Sequence, residues 1–326
     1  MDIHGANILV TGGAGLIGST TIDLLLRRHA PGRIVVLDNL VRGSRANLRS
    51  ALRDPRVSFV EGDIGDRETV ALACRGIDAV IHLAALRITA CAADPRRAVE
   101  VMADGSFNVV EAAQQAGVAK IVAASSASVY GMAEMFPTPE HHHPYGDETL
   151  YGAMKTFLEG LLRSYHAMHG LAYVALRYFN VYGPRMDTDG RYTEVLIRWM
   201  ERIEQGEAPV VFGDGRQTMD FVFIDDVARA TVLALAADVT HGAFNVASGT
   251  ETSLRELATV LLRAMEAGDR ALIHGPERSV NPVARRLAST ERAHAMLGFE
   301  AEVGLEEGLR RLVAWWRSTR APVEAA

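Results

Sequence analysis

The stretch TGGAGLIGS, residues 11–19, decides the fold. A short apolar run at residues 8–11 precedes it, and residues 16–29 after it carry apolar positions at helical period. Glycines at 12, 15 and 18 let the chain turn sharply between the two and bring backbone close to a pyrophosphate. The amides that open the helix, around Leu16 and Ile17, then face the anion with the positive end of the helix dipole behind them. A glycine pattern alone is a weak signal. Here a strand precedes it, a helix follows it, and Asp38 closes a second strand 20 residues past Gly18. A carboxylate there holds an adenosine ribose diol and repels a 2′-phosphate, which favours NAD over NADP. Arg42, nearby, is a mild counter-signal.

The same rhythm continues outward. Residues 33–37, 57–61, 79–82, 120–125 and 174–178 are short runs rich in β-branched residues, most of them following a helical stretch. Such runs are parallel strands buried on both faces. Right-handed crossovers then make an α/β, Rossmann-type doubly wound sheet. After about Tyr178 turn-rich segments separate short strands from helices near residues 194–204, 254–265 and 305–317. This predicts an NAD-binding domain over 1–178 and a smaller, mixed α/β substrate lobe over 179–326. Pieces of the second half, near 219–249, are expected to return to the main sheet, with a strand at 244–247.

Composition narrows the function. The 326 residues are 48% hydrophobic and carry a net charge of -6, which argues against nucleic acid or an anionic membrane as partner. No run reaches the roughly 18 apolar residues that cross a bilayer. The first residues lack the basic leader of a signal peptide. Cys74 and Cys91 stand in no metal-like spacing and read as free thiols, so the expected location is cytoplasmic. His141, His142 and His143 lie in a loop with no second ligand cluster at useful spacing, and no metal is expected. Trp315 and Trp316 read as core packing.

Of 34 basic residues, two are lysine, Lys120 and Lys155. Lys155 follows Tyr151 by four positions in the helical run YGAMKTFLEGLL, so the two share a face. An ammonium beside a phenol favours phenolate and makes a base for an alcohol proton. Lysine also reaches a ribose hydroxyl as a compact donor on a flexible stem. Tyr145 has Thr149 at the same spacing and reads as a loop residue. Tyr-x-x-x-Lys is common by chance. SSASVYG, residues 125–131, strengthens it by placing a serine hydroxyl at the end of a buried strand, where doubly wound sheets bind ligands.

With these segments on view the chain resembles the extended short-chain dehydrogenase/reductase family, within it the nucleotide-sugar 4-epimerases. The resemblance spans about residues 6–316. Besides those quoted, it rests on LDNL (37–40), GDI (62–64), HLAA (82–85), RYFNVYGPR (177–185), FGDGRQTMDFVFIDDVA (212–228), FNVASG (244–249) and LGFEAEVGLEEGLRR (297–311). It implies catalytic roles for Ser126, Tyr151 and Lys155. Cofactor contacts are implied at Asn39, Asp63, Ile64, Leu83, Ala84 and Ala85, beside the cradle and Asp38. From the residues alone Asp63 either caps the next helix or approaches the adenine. Asn180 matches the asparagine on the nucleotide diphosphate.

The activity so implied is inversion at C4 of a UDP- or other nucleotide-linked hexose through a 4-keto sugar, with NAD retained. A homodimer is implied through helices near 98–116 and 151–168. Other readings are a net oxidoreductase or UDP-glucuronate decarboxylase on the same scaffold, and a non-catalytic NAD-binding protein. The 4,6-dehydratases carry an Asp-Glu pair where Ala127 and Ser128 stand, and the decarboxylases a glutamate at Ser128. Three departures bear on substrate: Met219 replaces a common arginine, Ser279 another, and Met102 a common asparagine. Substrate contacts are therefore sought among Arg87, Ser126, Ser128, Asn180, Arg185, Arg191, Arg216 and Arg278.

Overall fold

The computed structural model describes residues 1–142, 146–188, 195–268, 270–276 and 283–320. Strand β1 (Asn7–Thr11) leads into helix α1 (Leu16–Arg28), then β2 (Arg33–Asp38) and β3 (Val57–Glu61). Helix α2 (Arg67–Ala73), β4 (Ala79–His82), α3 (Ile88–Ala93) and α4 (Pro95–Val99) follow. A turn of π-helix, Glu100–Gly105, runs into α5 (Ser106–Gln115) and β5 (Lys120–Ser126). Helix α6 (Leu150–His169) and β6 (Ala172–Tyr178) complete the first half.

The second half adds β7 (Asn180–Tyr182), α7 (Val195–Glu204), β8 (Val210–Phe212), β9 (Thr218–Phe223) and α8 (Ile224–Ala236). It continues with β10 (Ala243–Val246), β11 (Glu251–Ser253), α9 (Leu254–Ala264) and β12 (Ile273–Gly275), and ends with α10 (Glu291–Leu297) and α11 (Leu305–Arg320).

The main sheet has seven strands in the order β10-β6-β5-β4-β1-β2-β3, all paired in parallel. Strand order reverses at β1, between β2 and β4, and the crevice beyond the strand ends at that point is where such sheets bind ligands. Burial explains why these segments are strands. Ile8 and Val10 pack into the core on one face, while Leu9 packs into the core on the other. On the first face α1 lies against α8; on the second α5 lies against α6. The expected strand from the second half is β10, which pairs with β6 at the edge. Smaller sheets, β11-β9-β7 and β12-β8, carry the rest of the second half.

Trp316 is fully buried, as expected, but Trp315 is only partly so and lines the cavity described below. Adjacent helix positions lie about 100° apart, so one tryptophan packs inward and its neighbour looks toward the cleft. Lys120 has a structural use: its Nζ donates to the Ala237 carbonyl at 2.7 Å, and the Met1 ammonium donates to Ala236 at 2.8 Å. Both cations neutralise the carbonyl end of α8. Among the described residues no helix is long and apolar enough to cross a membrane.

Candidate active site

A single cavity of about 1620 Å³ runs from the glycine turn after β1, across the ends of β4 and β5, to β9 and the segment after residue 282. At one end is the cradle. Gly12 has φ +69°, and a Cβ on it would lie 2.7 Å from the Ala84 amide nitrogen, so only glycine lets the two loops close on each other. A Cβ on Gly18 would lie 2.5 Å from Gly13 Cα, so this glycine lets α1 start flush against the turn. Gly15 caps α1 with no side-chain hydrogen bond, and the first turn holds no acid. The positive helix end therefore faces the cavity without a competing carboxylate.

Asp38 is buried at the end of β2. Its Oδ2 accepts the Ala14 amide at 2.9 Å and its Oδ1 the Leu40 amide at 2.8 Å. Each oxygen keeps a further lone pair for a hydroxyl. The cradle that a side chain would fill and the carboxylate beside it fit a dinucleotide with a ribose diol. Asn39 donates to Asp63 Oδ2 at 2.9 Å, and Arg97 donates to the same oxygen at 2.7 Å. The two alternatives for Asp63 part here: Asp66, not Asp63, caps α2, accepting from Glu68 and Thr69. Asp63 lines the cavity, with Ile64. Leu83, Ala84 and Ala85 form its wall beyond β4. Beneath them His82 lies between Thr11 Oγ1 at 2.7 Å and Ser106 Oγ at 3.1 Å. Complete burial holds its imidazole down to about 3, so it is a neutral strut.

The reactive end is built by β5 and α6. Thr149 caps α6 by accepting the Gly152 amide at 3.1 Å, which starts the helix one residue before Tyr151. Tyr151 and Lys155 then project from one face into the cavity. Lys155 Nζ lies 5.7 Å from the Tyr151 ring centre and donates to the Ala124 carbonyl at 2.6 Å. Burial lowers its ammonium to about 8, with opposing help from Cys91 and Glu159. Ser126, the last residue of β5, accepts the Ser128 amide at 3.1 Å. That leaves its O–H to donate into the cavity. Ser126, Ser128, Tyr151 and Lys155, expected together from separate motifs, line one wall.

Of the residues expected on the substrate side, Arg87, Asn180, Arg185 and Arg216 line the cavity. Asn180 Nδ2 donates to the Asp220 carbonyl at 3.0 Å, which fixes its amide at the start of β7. Arg185 pairs through Nη2 with Asp23 at 2.5 Å, while its Nη1 is buried without a hydrogen-bond partner among the described residues. Arg216 is 83% exposed and lies 3.8 Å from Asp214. Arg191, Arg278, Ser279 and Tyr145 lie outside the described residues. Met219 faces the cavity, whereas Met102 is buried beside Cys91, with 3.5 Å between the sulfurs.

Among the charged lining residues that sequence reasoning missed is Arg286. It is 8% exposed, lines the cavity, and donates from Nη1 to the Ala127 carbonyl at 2.6 Å. Its neighbour Arg285 points the other way, to Glu251 at 2.7 and 2.8 Å. The backbone there is extended alongside β9, with the Arg286 amide donating to Thr218 at 2.9 Å, and successive side chains alternate. Nothing in the order of residues separates one of these two arginines from the other.

Comparison with known proteins adds the following. The family model described as the NAD dependent epimerase/dehydratase family matches residues 8–247. The UDP-glucose 4-epimerase of Mycolicibacterium smegmatis is 38% identical over 314 residues, covering 95% of this chain and 98% of that protein. The solved UDP-glucose 4-epimerase of Thermotoga maritima with UDP-glucose superposes with a TM-score of 0.89 at 34% identity, covering 96% of this chain and 99% of that one. The UDP-N-acetylglucosamine 4-epimerase of Methanobrevibacter ruminantium M1, solved with UDP-N-acetylmuramic acid, gives a TM-score of 0.90 at 31% identity, covering 97% and 99%.

Proposed function

The chain belongs to the NAD dependent epimerase/dehydratase family, and on that premise we propose how it works as a nucleotide-sugar 4-epimerase with bound NAD. The observation that carries this reading is that the glycine cradle with Asp38 and the group Ser126, Tyr151 and Lys155 open on the same cavity. The residues around the cradle hold the dinucleotide. Bound there, NAD would supply the hydride acceptor, and then the hydride donor, for C4 of the sugar. Tyr151, as phenolate, accepts the proton of the sugar O4 and gives it back after the sugar has turned. Ser126 donates its O–H to the same oxygen. Lys155 supplies the positive charge that keeps the phenolate accessible near neutral pH. Asn180 takes the nucleotide diphosphate, and the nucleotide is UDP, the one named for the relatives above.

The test is proton NMR of the purified protein with UDP-sugars and no added cofactor. C4 inversion is the expected result; a reaction that runs only with added NAD or NADH, or that releases carbon dioxide, would sink this mechanism. The same assay gives a pH dependence. Lys155 is charged below about pH 8 and neutral above it. Inversion therefore falls as pH rises through about 8. In the unfolded chain Lys155 would keep its proton to its ordinary value of 10.5, so its burial opposes folding below pH 8 and opposes it progressively less between 8 and 10.5. An alkaline limb absent up to pH 9.5 would overturn the role given to Lys155.

We also propose a homodimer through α5 and α6 in a reducing cytoplasm. Phe107 and Phe157 are 39% and 40% exposed and Met168 is 71% exposed, and Phe107 meets Tyr165 edge-on at 6.1 Å. This is an apolar face on neighbouring helices that a second copy would cover. Cys74 and Cys91 are buried free thiols, which suits that compartment. Light scattering should give twice the chain mass; a monomer at micromolar concentration would exclude the dimer.

A further inference from the structure

We propose that the sugar of the substrate carries a carboxylate and that Arg286 binds it; the inference rests on the nucleotide-sugar reading of this cavity. Arg286 is buried, yet among the described residues no carboxylate lies within 4 Å of its guanidinium. Its one side-chain hydrogen bond there runs from Nη1 to the Ala127 carbonyl. An arginine carries five N–H donors in a planar fork suited to two parallel bonds with one carboxylate. Burying such a charge against a neutral carbonyl alone destabilises the fold. The other arginines with known partners at this cavity differ: Arg97 faces Asp63, Arg185 faces Asp23, and Arg216 is largely in water. Asp147 is close enough to favour the charge on Arg286, but it makes no ion pair with it and is tied to the Thr149 amide at 3.0 Å.

Position selects the ligand. Ala127 lies between Ser126 and Ser128, so its carbonyl holds the guanidinium beside the serines that share a wall with Tyr151. That is the end where the sugar reacts. A diphosphate, one sugar ring away, falls to Asn180 in the reading above. An anion at the Arg286 end is therefore part of the sugar, and a hexuronate supplies it. A neutral hexose leaves the guanidinium desolvated and unpaired, which lowers its affinity.

The test uses protein with its NAD in place and Tyr151→Phe to stop turnover. UDP, UDP-glucose and UDP-glucuronate are titrated calorimetrically into this variant and into the same variant carrying Arg286→Met or Arg286→Lys. In the parent, UDP-glucuronate should bind on the order of tenfold to a hundredfold more tightly than UDP-glucose. Arg286→Met should abolish that preference and leave UDP binding within about twofold, since UDP does not reach this end. Arg286→Lys should keep part of it, because the charge stays while the fork is lost. Equal or tighter binding of UDP-glucose to the parent overturns the inference, and it does so even if Arg286→Met fails to fold. Equal weakening of all three ligands by Arg286→Met also overturns it, placing the arginine on the diphosphate. Binding of none of the three removes the UDP-sugar reading and this inference with it. Turnover of UDP-glucuronate by the unmodified enzyme separates the two further: inversion at C4 supports both, whereas a pentose product supports the carboxylate site and refutes the epimerase.

Discussion

Tyr151→Phe should lower turnover by on the order of a thousandfold or more, with NAD content and thermal midpoint unchanged. The substitution removes one oxygen and leaves the ring. The ring is partly buried and packs against the apolar core on that side of the sheet, so the contacts that hold α6 persist. What is lost is the proton acceptor held four positions before Lys155, over whose ammonium the ring sits at 5.7 Å. Neither Tyr130 nor Tyr178 replaces it. Tyr130 lies within the serine motif, but its phenol donates to Asn245 at 2.6 Å and burial pushes it up to about 12. Tyr178 donates or accepts at Thr231 and is raised further by complete burial. The measurement is single-turnover NMR or a coupled assay on protein checked for bound dinucleotide. Turnover within tenfold of the parent would remove Tyr151 from the mechanism.

The second large effect is structural. Arg177→Met should cost roughly 3–5 kcal/mol of stability, because it strands a buried carboxylate. Arg177 and Glu159 are 8% and 13% exposed. They meet through two parallel bonds, Nε to Oε1 at 2.8 Å and Nη2 to Oε2 at 2.7 Å. Ser125 Oγ donates to the same Oε1 at 2.5 Å, and Arg177 Nη1 also donates to Tyr130 and to the Glu140 carbonyl, each at 2.8 Å. The network thus joins the helix that carries Tyr151 and Lys155 to the strand end that carries Ser126. Removing both charges, as in Glu159→Met with Arg177→Met, should cost much less than Arg177→Met alone, because no ion is then left unpaired. Denaturant midpoints decide it. A single variant no worse than the double, or a loss below about 1 kcal/mol, would show that the pair does not hold these elements together. Since Ser126 and Tyr151 are anchored through it, the single variant should also lose turnover at temperatures where it remains folded.

Both predictions begin from features of different legibility. Tyr151 and Lys155 could be read as a pair because a helix repeats every 3.6 residues, so four positions apart means one face. The glycine turn was legible for a similar reason: strand, turn and helix are consecutive, and Asp38 ends the next strand. The Arg177–Glu159 pair was not legible. The two residues come from β6 and α6, and nothing short-range says that this arginine, rather than another of 32, turns inward to meet that carboxylate.

The amino-acid sequence by itself determined the doubly wound sheet, the dinucleotide cradle and the Tyr–Lys face, since each follows from periodicity and turn chemistry in short segments read one after another. Only the tertiary structure decided how the charges were allotted. It put Arg185 on Asp23, 162 positions away, and turned Arg285 outward to Glu251 while Arg286 went inward to Ala127, 159 positions away. It made Trp315 part of the cleft and left Trp316 in the core. A side chain's partner depends on which strand lies beside its own and on which of two alternating faces it takes. Those are properties of the packed sheet, not of the neighbours in the chain.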